Sequence, residues 1–141
     1  VTDPNRELAE HFNRRLRDVV LLLRRVSADQ PVTSQQASVL GSLEGGPRRM
    51  TELADEQGVR LPTMTALVNR LERDGLAARG RDASDARVVT VEITPAGAAQ
   101  LHATRERRTE ALAERIAALD EEQRAAIAAA LPALDRLFDP S

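Results

Sequence analysis

Apolar residues recur along this chain at two different periods, and the change of period marks its organisation. Across residues 5–28, Leu8, Phe12, Leu16, Val19, Leu23 and Val26 follow one another at steps of three and four, which predicts a helix with one apolar stripe. Val20, Leu21 and Leu22 widen that stripe almost to a full circle, and a helix apolar on most sides needs more than one neighbour to cover it. Pro31 breaks the pattern. Thr33-x-x-Gln36 has the form of a capping box and opens a second helix whose buried side is Val39, Leu40 and Leu43; Gly45-Gly46-Pro47 stops it. A third, short helix is expected with Thr51 as N-cap, Leu53 and Ala54 inward and Gly58 at its close. Pro62 opens a fourth, in the first turn where proline is tolerated. Its apolar face is Met64, Leu67, Val68 and Leu71, and Asp74-Gly75 ends it.

The period then falls to two. Residues 76–81 and 87–93 alternate, most clearly as Val89, Val91 and Ile93 on one face, with a polar, turn-prone connection over 82–86; this predicts a hairpin. Thr94-Pro95 restarts helix as N-cap and first-turn proline, and the pattern runs to about residue 118. Asp120 caps a last helix, with Ile127, Leu131, Leu134, Leu137 and Phe138 expected inward and a kink at Pro132. The ends are thus long helices with broad apolar faces, and the middle is a small mixed unit. One copy has too little partner surface for both ends. Pairing the ends, and then two chains, would bury them, so a homodimer is expected.

Composition narrows the function. The chain has 141 residues, the size of one compact domain or of two small units sharing a core. Aromatic residues are only 1%, so alanine and leucine do most of the packing. The net charge of −2 leaves nucleic-acid affinity to local clustering of charge. All twenty basic residues are arginine. A base-composition bias in the coding sequence accounts for that without any partner, yet each cation has a planar fork suited to phosphate, guanine or a narrow minor groove. The absence of cysteine excludes disulfides, thiolate metal sites and thiol-based oxidant sensing. His11 and His102 lie in separate predicted helices and do not make the three or four ligands that a metal site needs. No nucleophile motif or glycine-rich phosphate loop is present, so neither an enzyme nor a cofactor is expected. The apolar run at 19–23 is too short to span a membrane and lacks a cleavage-site pattern, which gives no membrane partner and a cytoplasmic location as expectations.

The stretch from 51 to 97 carries the chemistry: helix, turn, helix, then a hairpin with a charged tip. Small Ala54 permits close helix approach, and Gly58 permits the sharp turn. Spacing alone is equally compatible with an ordinary helical hairpin in a core. The outer face of the fourth helix changes that balance. Arg60, Thr63, Thr65, Asn69, Arg70 and Arg73 are polar, with no acid before Glu72. Hydroxyls and the helix N-terminus behind Pro62 suit phosphate oxygens, and Asn69 and Arg70 can reach base edges or phosphate in a major groove. From 59 to 90 there are six arginines against four acids. Glu52, Asp55 and Glu56 on the preceding helix should face away from DNA. At the hairpin, Arg79, Arg81 and Arg87 flank Asp82 and Asp85. A solvated turn with weak local ion pairs is one reading. The other is that Asp85 braces an arginine that enters a minor groove.

Several of these segments occur together in one order: Thr33-x-x-Gln36, Glu52-Leu53-Ala54, Thr63-Met64-Thr65, Arg70-Leu71-Glu72, Gly75-Leu76, Asp85-x-Arg87 and Ile93-Thr94-x-x-Gly97. In this the chain resembles the MarR family of bacterial winged helix-turn-helix regulators, over nearly its whole length. The resemblance implies a mainly α fold with a small β-hairpin wing. Residues 1–30 and 95–141 would form a helical dimerisation region and 31–94 a winged helix-turn-helix region. It implies a homodimer on a pseudo-palindromic double-stranded DNA operator, usually as a repressor, released by a small, often phenolic or aromatic acid, effector. Carried onto this sequence, residues 62–73 become the recognition helix and Asp85 and Arg87 the wing pair. Arg60 stands where a small capping serine is common, and Ala66 where a longer polar side chain often meets DNA, so base readout would rest on Arg60, Thr65, Asn69 and Arg70. The pocket for an effector is not visible in the residues; Arg14, Arg15 and Arg17 are candidates between which the sequence does not choose. The alternative of a different class is a winged-helix protein-interaction module without DNA binding, which the net negative charge and the acidic third helix leave open.

Overall fold

The computed structural model describes residues 1–139, so the last two residues of the expected 95–141 region lie outside it. Six helices and three strands follow in the order α1 (Pro4–Ser27), α2 (Ser34–Ser42), β1 (Arg48–Arg49), α3 (Met50–Glu56), α4 (Leu61–Arg73), β2 (Ala77–Arg81), β3 (Val89–Ile93), α5 (Pro95–Ala117) and α6 (Glu121–Phe138). Residues 1–107 and 108–141 form two compact units, with α5 running from one into the other.

Local capping explains most boundaries of the first unit. Asp3 accepts from the Asn5 amide to start α1. At α2 the capping box forms in full: Thr33 Oγ1 accepts from Gln36 N at 3.1 Å, and Gln36 Oε1 accepts from Thr33 N at 2.9 Å. α3 and α4 end alike. Gly58 and Gly75 adopt φ of +66° and +75°, and the next residue returns its amide to the preceding helix, Val59 to Ala54 O at 3.0 Å and Leu76 to Leu71 O at 2.9 Å. Only glycine takes this left-handed conformation without a Cβ penalty.

Three boundaries differ from the sequence expectation. α3 begins at Met50 with Arg49 as N-cap, not after Thr51, because the Glu52 carboxylate reaches back to the Arg49 amide at 3.2 Å. β3 begins at Val89 and not at residue 87, leaving a loop over 82–88, and β2 begins at Ala77 and not at residue 76. The hairpin is also not alone: β1 pairs antiparallel with β3, Arg48 opposite Val91 and Arg49 opposite Thr90, giving a three-stranded sheet in the order β1-β3-β2. A two-residue strand has no periodicity to reveal it.

The core of this unit brings α2, α3, α4 and the sheet together. Val39, Leu40, Leu43, Leu53, Met64, Val68, Leu71 and Val91 are fully buried, and Leu67 and Ile93 pack against them partly covered. Two ion pairs from α5 fasten its first half to the same unit: a two-pronged contact of Arg105 with Glu44, and Arg107 with Asp29 at 3.3 Å. The Arg105 guanidinium holds the Glu44 carboxyl below its ordinary pKa.

Elsewhere apolar side chains stay in the open. On α1, Leu8, Leu16, Val19, Val20 and Leu21 are exposed. In the unit from 108 onward, Asp120 caps α6 as expected, accepting from Gln123 N at 2.7 Å, and helix continues through Pro132. The expected inward set on α6 is not buried. Ile127, Leu131, Leu137 and Phe138 are exposed, Leu134 is half-buried, and no α6 residue is fully covered. The periodicity identified an apolar face, and among the described residues most of that face stays exposed.

Backbone approaches backbone closely where α5 begins. Thr94 Oγ1 accepts from Gly97 N at 3.0 Å and donates to Gly75 O at 2.6 Å, while Thr94 N donates to Leu76 O at 3.1 Å. A Cβ on Gly97 would lie 2.0 Å from Leu76 O and 2.9 Å from Ile93 Cγ1. Gly97→Ala should therefore destabilise the protein by at least about 2 kcal/mol in urea unfolding, because backbone must move to admit the methyl. Gly45, with nothing within 4 Å of such a Cβ, is the control, and Gly45→Ala should change stability by less than about 1 kcal/mol. Equal effects at the two positions would refute the close-approach argument.

Candidate nucleic-acid interface

The fourth helix turns one face to the core and the other to solvent. At 3.6 residues per turn, Met64, Val68 and Leu71 share the buried side, and Pro62, Ala66, Asn69, Arg70 and Arg73 fall opposite or flanking it; all five are exposed. Thr63 is exposed as well. Arg60 is the N-cap, exposed, and makes no side-chain capping bond. Thr65 is half-buried, and its hydroxyl donates back to Leu61 O at 2.9 Å, so its hydrogen is committed to its own helix.

The hairpin lies against this helix through Arg79. Its guanidinium donates to Glu72 Oε1 at 2.7 Å and to Asn69 Oδ1 at 2.5 Å, and its backbone amide donates to Glu72 Oε2 at 3.1 Å. Arg79 is thus a clasp between β2 and α4, whereas sequence spacing grouped it with the tip. Arg81 remains exposed on the strand. At the tip, Arg87 donates to Asp85 through its backbone N at 3.1 Å, Nε at 3.2 Å and a terminal nitrogen at 3.3 Å. The Arg87 side chain is nevertheless 91% exposed. An aspartate therefore fixes the root and fork of an arginine that otherwise stands in solvent.

A second brace was not apparent from the sequence. Arg49 Nε donates to Asp82 Oδ2 at 2.8 Å, tying the start of the loop to β1, and Asp82 Oδ1 accepts from both the amide and the hydroxyl of Ser84 at 2.8 and 2.7 Å. Arg49 and Glu72 thus position the wing, and only the spatial pairing of distant segments reveals either. On α3, Glu52 and Glu56 pair with Arg48 at 3.6 and 3.2 Å.

These contacts alter the electrostatic picture. Of the four acids between 59 and 90, Glu72, Asp82 and Asp85 are each bonded to an arginine. Arg60, Arg70, Arg73 and Arg81 have no ion pair among the described residues. The pairing leaves the local excess of arginine as it is, but it leaves that excess on four exposed arginines that have no ion pair among the described residues.

Among the described residues no helix is long and apolar enough to cross a membrane, and no group of three or more histidines or carboxylates could hold a metal. Of the candidate arginines on α1, Arg15 is paired with Asp18 at 2.9 Å. Arg14 and Arg17 line an open groove with Leu16, Val20 and Leu21.

A short helix pair with a three-stranded wing, an outward basic helix face and a braced arginine tip define a winged helix-turn-helix of the DNA-binding type. Comparison with known proteins gives the same class. A MarR family model matches residues 30–88. An HTH-type transcriptional regulator of Mycobacterium bovis is 33% identical over 120 residues, 84% of each chain. The crystal structure of a transcriptional regulator protein from Pseudomonas aeruginosa is similar over 100% of both chains, with TM-score 0.82 and 33% identity. BpsR of Bordetella bronchiseptica shares the fold at TM-score 0.72 and 20% identity, over 100% of this chain and 99% of its own. The chain belongs to the MarR family of transcriptional regulators. Its relatives and structural neighbours are regulators of transcription, not enzymes.

The wing braces predict a pH response. Bonds from the Ser84 hydroxyl and amide, then from Arg49, hold the Asp82 carboxyl far below its ordinary range, and Arg87 lowers Asp85 through its side chain and backbone. Both folded-state values lie below the unfolded value near about 3.9. Their contribution to wing order is therefore complete above about pH 4 and is lost only as pH falls through the lowered values. In an NMR carboxyl titration Asp82 should remain ionised at about pH 3, and Ser84→Ala should move its midpoint upward. An Asp82 midpoint near the ordinary ~3.9 would contradict the bracing.

Proposed function

We propose that this protein is a homodimeric repressor that binds a pseudo-palindromic operator and is released by a small, aromatic-acid effector in the cytoplasm. The observation that carries the DNA-binding part is the pairing of an exposed, acid-free helix face with an arginine held outward by Asp85. In this reading residues 62–73 enter the major groove, with Arg60, Pro62, Thr63, Thr65, Asn69, Arg70 and Arg73 at or around the contact. The wing, with Arg79, Arg81, Asp85 and Arg87, reaches the neighbouring minor groove. Residues 1–30 and 95–141 hold two such units together, placing the recognition helices about 34 Å apart, one turn of DNA.

The exposed apolar residues of α1 and of α6 support the dimer, because uncovered leucine and valine faces of this extent are rare on a soluble monomer. An operator occupied by both halves blocks transcription by simple occlusion. The effector reading is supported by the family and by BpsR, whose DNA binding is regulated by 6-hydroxynicotinic acid.

A footprint on the DNA upstream of the coding region, repeated with a panel of aromatic acids, tests the whole reading. Protection of two half-sites one turn apart is expected, with loss on adding the correct acid; no protection at low salt removes DNA binding. Arg87→Ala should weaken operator binding in a gel shift by about tenfold or more, since one charge-assisted contact is worth roughly 1.5–3 kcal/mol. Unchanged affinity would remove the wing assignment. Arg73→Ala should lower the slope of log affinity against log salt by about one if the side chain meets a phosphate.

Sedimentation at micromolar concentration should give a dimer, and Leu131→Asp should shift it to monomer by placing a charge on the exposed α6 face. A folded wild-type monomer at that concentration would dismiss the dimer.

A further inference from the structure

The first half of α5 rests on the remainder of the 1–107 unit through a narrow stripe. Its buried residues are Gly97, Leu101 and Thr104, so one large apolar side chain holds the helix down. A contact of that kind resists separation better than it resists rolling of the helix about its own axis. At about 100° per residue, Arg105 falls roughly 70° to one side of the stripe and Arg107 roughly 90° to the other. Each meets an acid there. Arg105 Nη1 donates to Glu44 Oε2 at 2.9 Å, and its Nη2 lies 2.6 Å from Glu44 Oε1. A Cβ on Gly41 would be 3.3 Å from that Nη2, so the guanidinium lies close against α2 where there is no side chain. Arg107 donates from one terminal nitrogen to both oxygens of Asp29, at 3.3 and 3.4 Å.

Glu44 and Asp29 stand just past the last residues of α2 and α1, beside the negative ends of those helix dipoles. An acid is poorly placed there on its own account, and the arginines of α5 offset that. All four residues are exposed, so the pairs add little to stability. What two pairs on opposite flanks can do is resist a roll in either direction. α5 continues beyond residue 107, into the region proposed to hold two copies together. The roll of its first half then decides the angle at which each recognition helix is presented to the operator. We infer that Arg105 and Arg107 are positioning residues that fix the half-site spacing the dimer accepts, acting through Glu44 and Asp29. This rests on the proposal that two copies bind one operator.

In the test, the full chain first selects its operator from randomised duplexes. Its affinity is then measured on a series in which the two selected half-sites are moved apart or together by one and two base pairs, and on a duplex with a single half-site. Wild type should lose about tenfold or more for one added or removed pair, the cost of roughly one spoiled base contact. The double variant Arg105→Gln, Arg107→Gln should stay folded and dimeric and bind the single half-site as wild type does. For the same change of spacing it should lose less than about threefold. Arg105→Glu alone should weaken the spacing preference, and Arg105→Glu combined with Glu44→Arg should restore it. An arginine that met a phosphate would not be rescued by this exchange, and its loss would weaken the single half-site as well.

A wild-type protein indifferent to spacing would overturn the inference. So would a double variant that keeps the wild-type spacing penalty, or one that weakens the single half-site as much as the full operator. Unfolding of the double variant, seen by circular dichroism, would also overturn it, since the pairs would then be structural supports. Failure of the wild-type protein to enrich any duplex is a separate result. It would remove the DNA-binding proposal, and this inference with it.

Discussion

The close approach of the first turn of α5 to the Leu76 carbonyl governs how the parts of the 1–107 unit meet. Three elements converge there: the end of α4, the start of β2 and the start of α5. Gly75 turns the chain out of α4, Leu76 O takes the Thr94 amide, and Thr94 Oγ1 both caps α5 and donates to Gly75 O. Gly97 is the residue that lets the helix come so near, since any side chain there would overlap a backbone oxygen. The direction of the hairpin relative to α4 follows from this junction. The clasp of Arg79 on Glu72 and Asn69 then needs only to hold an orientation that the backbone already imposes.

Acidic residues in the middle of the chain would be counted against nucleic-acid binding by net charge alone. Their placement gives them a different role. Glu72 holds Arg79, Asp82 holds Arg49 and Asp85 holds Arg87. Such exposed pairs add little to stability, yet each removes freedom from a long side chain before any partner arrives. Ordering a flexible arginine on binding costs side-chain entropy, so a pre-positioned one binds at a smaller penalty. The acids thus work as braces, and the arginines without an ion pair, Arg60, Arg70, Arg73 and Arg81, supply the net local charge.

What could be read from the sequence follows the range of the interactions. The capping box at Thr33 and Gln36, the Asp120 cap and the glycine ends of α3 and α4 all act within a few residues, so their sequence signatures carried through to the structure. The start of α3 did not, because arginine is a poor N-cap by type and Glu52 provides the bond from within the helix. β1 has two residues and no pattern of its own; its partner lies more than forty positions away. The Arg49–Asp82 brace and the clasp at Arg79 likewise depend on the register of the sheet and on the packing of α4 beside it, neither of which local periodicity encodes. The α6 face shows the converse limit. Its apolar spacing was legible, but spacing specifies that a face needs covering and not that its own chain covers it.

The alanine at position 66 bears on how this helix face would read a groove. Ala66 lies at the centre of the outward side of α4, where its methyl cannot hydrogen-bond to a base edge and suits contact with a thymine methyl. Around it stand longer groups of different freedom: Arg70 and Arg73 have no ion pair among the described residues, while Asn69 is held by one atom. Flexible arginines tolerate many phosphate and base geometries, and a fixed amide tolerates few. Discrimination on such a face would therefore concentrate at Asn69, and affinity at the arginines. The basis is physical: a hydrogen-bonding group whose orientation is already fixed discriminates more sharply than one free to turn, and on this helix Arg79 fixes the orientation of Asn69.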